Sequence, residues 1–267
     1  MTLTLDRPVC EALLPVVGAD TLVPLIDGRQ VTYANLDGAA SAPALVSVAA
    51  RVTEVLPLYA SVHRGAGYLS QVCTALYEQA RAQIGRFVGA RPDDVTIVVR
   101  NTTDALNLLA GVVPGKVLVL DGEHHANLLP WVHARRGEHS TTILPVRDTV
   151  AQTLEALAAE LAVGCYALVT LTGASNVTGE SLPIADVVAL AHRWGARVVV
   201  DGAQLVPHRG FSLTETGADY VAFSGHKTYA PFGAGALVGR RDWLDAGPAY
   251  LAGGGAVRDV RTDRTLW

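Results

Sequence analysis

Short, continuously apolar segments alternate with segments of helical periodicity from about residue 95 onward. Unbroken apolar runs rich in β-branched residues are typical of strands that are covered on both faces of a parallel sheet. The predicted strands are Val95–Val99, Lys116–Leu120, Thr141–Leu144, Ala167–Thr172, Arg197–Asp201, Asp219–Phe223 and Ala236–Val238. The last strand follows the turn Gly233–Gly235 after few intervening residues, so it can run antiparallel at that point.

The segments between these strands carry apolar residues at helical spacing. The predicted helices are Thr103–Ala110, Leu128–Arg136, Val150–Leu161 and Ile184–Trp194. Repeated strand–helix–strand units of this kind predict an α/β layered domain. Ligands of such domains bind where the carboxyl ends of the strands meet. The residues at the strand ends are therefore the first candidates for chemistry.

Residues 1–90 follow a different pattern. Apolar side chains between Leu69 and Phe87 fall on one face of a helix, and a shorter helix is predicted near Pro43–Tyr59. We therefore divide the chain into an N-terminal arm with helices, residues 1–90, and a large domain, residues 91–267. The arm is expected to pack on the large domain as part of one continuous unit.

The composition narrows the range of partners. The 267 residues are 50% hydrophobic and 17% charged, with a formal net charge of −4. Such a chain can bury a sizeable core, which excludes an intrinsically disordered protein. The charge balance lacks the basic footprint of nucleic-acid-binding proteins, and no apolar stretch approaches the ~20 residues that cross a bilayer. We expect neither nucleic acid nor a membrane as a partner.

The three cysteines, Cys10, Cys73 and Cys165, lie far apart and form no Cys-x-x-Cys pair. This spacing argues against a disulfide framework and against a cysteine metal site. Cys73 and Cys165 lie in or beside apolar segments, so both are expected in the core. The N-terminus also lacks the basic and apolar regions of a signal peptide. Together these features predict a cytoplasmic protein.

Polar residues of several chemical types stand at the ends of five predicted strands. They are Thr102 and Thr103, His124 and His125, Asn176, Asp201 and Gln204, and Ser224, His226 and Lys227. Because the carboxyl ends of parallel strands meet at one edge of a sheet, we expect these residues to converge on one site.

This set of residues suits pyridoxal 5′-phosphate (PLP). PLP needs a lysine for its Schiff base and a carboxylate that keeps its pyridine nitrogen protonated. Only two of the 21 basic residues are lysines, and Lys116 stands at the entrance of a strand, which leaves Lys227. Asp201 is the matching carboxylate. A helix N-terminus with the hydroxyl groups of Thr102 and Thr103 suits the phosphate.

Simpler interpretations exist for several of these residues. Asp201 can be a strand-end turn residue. Thr102 and Thr103 can cap their helix, and capping and phosphate binding use the same donors. Both interpretations remain open at this point.

Four histidines in one part of the chain, His124, His125, His133 and His139, raise the question of a zinc site. They lack a metal-binding pair at i, i+4 and have no cysteine partner. We therefore expect no metal.

Seven short segments, spread over nearly the whole chain, carry a further signal. They are Tyr33–Ser41, Val62–Gly65, Asn101–Thr103, Glu123–Trp131, Ser175–Gly179, Val200–Gln204 and Phe223–Lys227. In order and spacing they resemble the cysteine desulfurases of the class V aminotransferase family of fold-type I PLP enzymes. The resemblance implies the large domain of such an enzyme, a three-layer α/β/α sandwich with a mainly parallel seven-stranded sheet.

The resemblance also implies a role for each candidate residue. Lys227 would bind PLP covalently, Asp201 would pair with the pyridine nitrogen, and His124 would stack on the ring face; these three are the catalytic candidates. Gln204 would hydrogen-bond the phenolic oxygen. Asn176 would lie near the ring and the substrate carboxylate. The residues that would hold the phosphate are Thr102, Thr103, Ser224 and His226.

The function implied by the resemblance is that of a PLP-dependent transferase acting on an amino acid, as a cysteine desulfurase or an aminotransferase. Two alternatives stay open: a PLP-dependent lyase or epimerase of the same family, and a truncated, non-catalytic PLP-binding subunit. The implied partners are a small-molecule amino-acid substrate, a second copy in a homodimer and, as one option, a separate polypeptide with a C-terminal domain. His63 and Arg64 are either ordinary loop residues or contributors to a site across the dimer.

Desulfurases of this family carry their nucleophilic cysteine and an arginine for the substrate carboxylate in a C-terminal small domain. The resembling segments end before such a domain. We therefore expect residues 1–267 to lack it, and expect this chain alone to release little or no sulfide from cysteine.

Overall fold

The computed structural model of the chain describes residues 14–134, 140–253, 259–263 and 265–266. A short antiparallel ribbon consists of β1 (Leu22–Pro24) and β2 (Gln30–Thr32). The main sheet consists of β3 (Asp94–Val99), β4 (Lys116–Leu120), β5 (Thr141–Leu144), β6 (Tyr166–Thr172), β7 (Arg197–Asp201), β8 (Tyr220–Ser224) and β9 (Gly235–Arg240). A second small ribbon pairs β10 (Asp259–Val260) with β11 (Thr265–Leu266).

The main sheet has the strand order β3-β9-β8-β7-β6-β4-β5. The neighbours from β8 to β5 are parallel, whereas β9 is antiparallel to both β8 and β3. The mainly parallel seven-stranded sheet is thus confirmed, as is the antiparallel direction of the last predicted strand. The strand predicted at Asp219–Phe223 is β8, which begins one residue later at Tyr220. Asp219 therefore lies just before the strand instead of within it.

The helices are α1 (Val46–Val55), α2 (Tyr68–Phe87), α3 (Thr102–Ala110), α4 (His125–Ala134), α5 (Val150–Val163), α6 (Ile184–Arg193), α7 (Leu205–His208), α8 (Leu213–Thr216) and α9 (Asp242–Ala246). Every predicted helix is present. α4 begins three residues before the predicted Leu128, and its predicted end at Arg136 lies outside the described residues. Within the described ranges, none of these helices has the length and apolar character required to cross a bilayer.

Helices cover both faces of the sheet. On one face Val198 and Val200 of β7 belong to a buried cluster with α5 and α6. On the other face Val199 joins a second buried cluster with Leu106 of α3 and Trp131 of α4. Because neighbouring residues of a strand point to opposite faces, the unbroken valine run is buried on both sides. This arrangement confirms the three-layer α/β/α sandwich.

The N-terminal helix α2 lies against β3 and is only partly covered. Its fully buried residues are Ser70, Cys73 and Gly85. Leu69 and Phe87, which belong to the predicted apolar face, remain 41% and 61% exposed. The apolar periodicity predicted the helix correctly, but the structure leaves part of that face uncovered.

The cysteines differ from one another in their environment. Cys73 is buried as expected, and its Sγ donates to the carbonyl oxygen of Leu58 and accepts from Ala60 N. The prediction of a core position is wrong for Cys165, which is exposed. It lies in the short α5–β6 connection, and the strand begins with the buried Tyr166 one residue later. Cys10 lies outside the described residues.

Candidate functional site

A cavity of 510 Å³ lies where the strands β4, β6, β7 and β8 end. Of the ten polar residues that the sequence predicts at this edge, His125 is exposed and does not line the cavity. The other nine line it: Thr102, Thr103, His124, Asn176, Asp201, Gln204, Ser224, His226 and Lys227. They come from five separate segments of the chain. The structure therefore brings together residues that the sequence holds up to 125 positions apart, counted from Thr102 to Lys227.

Asp201 is the last residue of β7 and is 3% exposed. Its Oδ1 accepts a hydrogen bond of 2.9 Å from Ala203 N, and within the described part of the chain its Oδ2 has no hydrogen-bond donor. Burial raises the pKa of this carboxyl above its ordinary value, while the hydrogen bond from Ala203 N and the charge of Lys227 act in the opposite direction. Asp201 is thus a buried acid with one oxygen left for a cationic ligand.

Gly202, which follows Asp201, allows this close packing. A Cβ at position 202 would lie 2.8 Å from Val206 and 3.0 Å from Val221. Contacts this short are closer than van der Waals distance. A larger residue would therefore displace the end of β7 and with it the carboxylate of Asp201.

Lys227 ends the short 3₁₀ helix Gly225–Lys227 directly after β8. Among the described residues its ammonium group has no hydrogen-bond or ion-pair partner, and it is half-buried. The N-terminal segment holds this loop, because Ala42 N donates to the carbonyl oxygen of His226 and Leu45 N donates to that of Tyr229. The other lysine, Lys116, is exposed at the amino end of β4, away from the cavity.

The N-terminus of α3 supplies hydroxyl and amide donors. Asn101 caps the helix through its side chain, which accepts from Asp104 N. Buried Thr102 is paired with Ser224, whose Oγ accepts from Thr102 N at 2.8 Å and lies 2.7 Å from Thr102 Oγ1. The side chain of exposed Thr103 has no hydrogen-bond partner in the described ranges. The side chain that caps α3 is therefore that of Asn101. The hydroxyl group of Thr103 is not used by the helix and remains available at the cavity.

His124 stands one residue before α4 and lines the cavity. Its Nδ1 accepts a hydrogen bond of 3.0 Å from Ala126 N. This bond places the ring proton on Nε2 and fixes the orientation of the imidazole. It also explains why α4 begins earlier than predicted, since the histidine ring serves as the helix cap.

Two further polar side chains link the cavity to the N-terminal segment. Gln204 Nε2 donates to the carbonyl oxygen of Ala39 at 3.0 Å, and His226 Nδ1 lies 3.3 Å from Ser41 Oγ. Burial, followed by the charge of Lys227, lowers the pKa of His226. The lowered pKa favours the neutral form of the imidazole.

The sequence-based list missed several residues of the cavity wall. Asp37, Ala39 and Ala40 line it from the N-terminal segment, and Asn101 and Thr172 line it from the sheet side. Asp37 and its small neighbours lie in a segment that resembles the family, which was the available signal. A loop residue far from the strands gives no local indication that it reaches the sheet edge.

His63 and Arg64 do not line the cavity of this chain. His63 has a left-handed backbone, with φ of 57°, and its Nε2 lies 2.9 Å from Glu78 Oε1. Their contribution to a site across a dimer stays a prediction. No cluster of three potential metal ligands occurs among the residues that the structure describes.

Known proteins resemble this chain in sequence over most of its length. The sequence profile of the family described as aminotransferase class-V matches residues 34–267. A cysteine desulfurase of Dickeya dadantii (strain 3937) is 38% identical over 244 residues, which are 88% of this chain and 58% of that protein. A cysteine desulfurase of Klebsiella pneumoniae (strain 342) is 35% identical over an alignment of 282 positions, which covers 100% of this chain and 66% of that protein.

Solved structures show the same likeness. A cysteine desulfurase from Escherichia coli superposes with a TM-score of 0.75 at 32% identity, covering 86% of this chain and 60% of that one. The apo structure of a cysteine desulfurase from Thermococcus onnurineus NA1 superposes with a TM-score of 0.76 at 30% identity, covering 86% and 59%. The chain thus spans about 60% of the length of these relatives.

Proposed function

The chain belongs to the class-V aminotransferase family, and from this premise we propose that it carries the cofactor site of a PLP-dependent transferase of the cysteine desulfurase type. The substrate class is an amino acid. One observation supports the proposal above the others: Lys227, Asp201, His124 and the N-terminus of α3 surround a single cavity at the carboxyl edge of the sheet. The desulfurase assignment draws on the relatives, which are described as cysteine desulfurases.

The donor set of the cavity fits PLP. A volume of 510 Å³ lies within the range of about 300–1,000 Å³ typical of small-ligand sites. Lys227 and the Oδ2 atom of Asp201 both lack partners within the described chain, and PLP requires an amine and a carboxylate. The free donors of Thr103 at the N-terminus of α3 suit its phosphate.

When bound, PLP supplies an electron sink that makes the α-proton of an amino acid acidic. Lys227 Nζ would hold the cofactor covalently and would be the group that moves that proton. Asp201 Oδ2 would accept the hydrogen bond of the pyridine nitrogen and keep that nitrogen protonated. His124, with its ring orientation fixed by Ala126 N, covers the ring face.

The remaining residues orient and anchor. Gln204 uses one amide hydrogen for Ala39, so its second hydrogen is available to the phenolic oxygen of PLP. Thr103, with Thr102, Ser224 and His226, holds the phosphate. Asn176 lines the cavity wall, and we assign to it the contact with the substrate carboxylate.

Covalent labelling tests the proposal. The protein is incubated with PLP, reduced with borohydride and digested, and the modified lysine is identified by mass spectrometry. We expect the label on Lys227. The matched control Lys116→Arg should keep the label, and Lys227→Arg should lose it. A label on Lys116 with Lys227 unmodified would refute the assignment.

A second candidate, an aminotransferase, is favoured by the description of the family itself. The products separate the two. A desulfurase releases sulfide from cysteine and leaves alanine, whereas an aminotransferase converts an amino acid into its 2-oxo acid and releases no sulfide. Measuring both products with PLP-loaded protein, beside Lys227→Ala, decides between them.

We also propose a homodimer in the cytoplasm. Half-exposed apolar residues of α2, Leu69 and Phe87, support a second copy as a partner. The free thiol of buried Cys73 supports a reducing compartment. Sedimentation equilibrium of wild type beside Phe87→Asp tests the dimer: a monomeric wild type would contradict it.

A further inference from the structure

A buried carboxyl group beside the cavity has no role in the proposed function. Glu123 is 6% exposed and directly precedes His124 in the connection from β4 to α4. It does not line the 510 Å³ cavity, so it cannot touch a cofactor bound there. Any effect of Glu123 on the site must act through its neighbours.

Both carboxylate oxygens of Glu123 accept hydrogen bonds. Oε1 accepts from Thr172 N at 2.9 Å, and Oε2 accepts from Asn127 Nδ2 at 2.6 Å. Thr172 is the last residue of β6 and part of the cavity wall, and Asn127 lies in the first turn of α4. Glu123 therefore ties the turn that carries His124 to the end of a central strand.

Asn127 cannot reverse its amide to suit a different partner. Its Oδ1 accepts from Trp131 Nε1 at 3.3 Å and from Thr170 Oγ1. Asn127, Trp131 and Thr170 are all completely buried. Its Nδ2 must therefore face position 123, and that position must present two acceptors. Glutamate offers two oxygens as acceptors, while the amide of glutamine has one.

The surroundings of Glu123 also affect its ionisation. Burial raises its pKa to about 8, two hydrogen bonds oppose this, and the charge of Asp201 raises it further. Burying an acid costs free energy of folding unless its oxygen atoms are hydrogen-bonded. Thr172 N and Asn127 Nδ2 supply these hydrogen bonds.

We propose that Glu123 is a positioning residue of the site: its two hydrogen bonds hold the His124 turn against the end of β6 and thereby set the orientation of the His124 ring over the cavity. This inference rests on the proposed function only where it concerns PLP. The clamp itself, from Thr172 through Glu123 to Asn127, is a property of the cofactor-free chain.

The test compares Glu123→Gln with the matched control Glu155→Gln, a change on the exposed side of α5. In Glu123→Gln, either the Thr172 amide or the side-chain amide of Asn127 loses its acceptor. Hydrogen exchange of at least one of them should become tenfold faster or more, and the imidazole NMR signals of His124 should move. PLP should bind about tenfold more weakly and with a shifted absorbance band. The control should match wild type in every measurement.

Wild-type exchange and unchanged His124 signals in a folded Glu123→Gln protein would overturn the proposal. If that variant does not fold, the wild-type protein is titrated with a ¹³C label on the carboxyl group of Glu123. The chemical shift of the Thr172 amide should then change with the same pH dependence as the label. An amide shift that does not change with the label would refute the clamp. The proposed function fails separately. PLP that does not label Lys227 in wild type refutes the cofactor site, whatever the exchange of Thr172 shows.

Discussion

Two buried aspartates at opposite edges of the same sheet have opposite environments. Asp219, at the entrance to β8, is 1% exposed and accepts from Arg240 Nε at 2.6 Å, His192 Nε2 at 2.8 Å and Val198 N at 2.9 Å. Asp201, at the end of β7, is 3% exposed and accepts one hydrogen bond within the described chain. The comparison shows that burial alone does not identify a functional acid. Asp201 differs from Asp219 in the Oδ2 atom, which accepts no hydrogen bond within the described chain.

The basic residues of the two edges differ in the same way. At the amino edge Arg197 hydrogen-bonds Asp242 and the hydroxyl of Tyr220, and it lies 4.1 Å from the ring centroid of Trp243. At the carboxyl edge Lys227 has no such partner among the described residues. Groups that hold the fold together are satisfied by the fold. Lys227 and Asp201, whose side chains keep unused hydrogen-bonding capacity among the described residues, both line one cavity.

The largest expected effect is on stability at the amino edge. Asp219→Ala leaves Arg240, His192 and the amide of Val198 without their acceptor. We expect the free energy of unfolding to fall by about 3 kcal/mol, the lower end for a broken buried ion pair, because Arg240 and His192 are partly hydrated. Urea unfolding of the PLP-free protein measures this. Asp201→Ala should stay within about 1 kcal/mol of wild type, and equal losses in the two variants would contradict the comparison.

The carboxyl edge should show its effect in chemistry. Asp201→Asn keeps the shape of the side chain but removes the charge that, in the proposed function, keeps the pyridine nitrogen of PLP protonated. Since a hydrogen bond to a charged group contributes roughly 1.5–3 kcal/mol, α-proton exchange of an amino acid in D₂O should slow by about ten- to a hundredfold. PLP should remain bound. Asp186→Asn, on the exposed side of α6, serves as control. Exchange at the wild-type rate would make Asp201 a structural residue.

The acids at the carboxyl edge should also give the PLP-free protein a characteristic pH dependence. Burial raises the pKa of Glu123 to about 8 and raises that of Asp201 as well. Between the unfolded pKa and the folded pKa the folded chain binds more protons, so its stability falls as pH rises from about 5 to about 8. The contribution of Glu123 is up to about 1 kcal/mol per pH unit.

The difference between wild type and Glu123→Gln isolates this contribution. It is needed because the lowered pKa of His226 acts in the opposite direction: its stabilising effect is present above the unfolded pKa near 6.5 and is lost as pH falls. Urea unfolding of both proteins at several pH values should give a difference that changes steadily with pH. A constant difference would show that Glu123 does not change its protonation over this range.

The smallest expected effect comes from the basic residues. Arg197→Ala removes a partly exposed ion pair and a cation–π contact, and should cost about 1 kcal/mol. Borohydride labelling of Lys227 should be unchanged in this variant. Lys227→Ala should lose the label and keep the wild-type unfolding curve. If each variant changed both the labelling and the unfolding curve, the two edges would not differ in the way described.

The sequence by itself determined the sheet, the order of its elements and most of the site. Continuous valine runs such as Val198–Val200 require cover on both faces, so the strand positions and the layered fold follow from local pattern. The site residues follow from a topological rule, since the carboxyl ends of parallel strands share one edge. Asp201 and Lys227 were therefore identifiable without coordinates, although their chemical roles remain predictions.

Only the tertiary structure decided which polar groups are satisfied and which are open. The side-chain hydrogen-bond partners of Asp219, Glu123 and Thr102 lie up to 27, 49 and 122 positions away along the chain. The exposure of Cys165 depends in the same way on where the α5–β6 connection meets solvent. Hydrophobic periodicity is a local property, whereas hydrogen-bond satisfaction depends on groups that folding alone brings within 3 Å of each other.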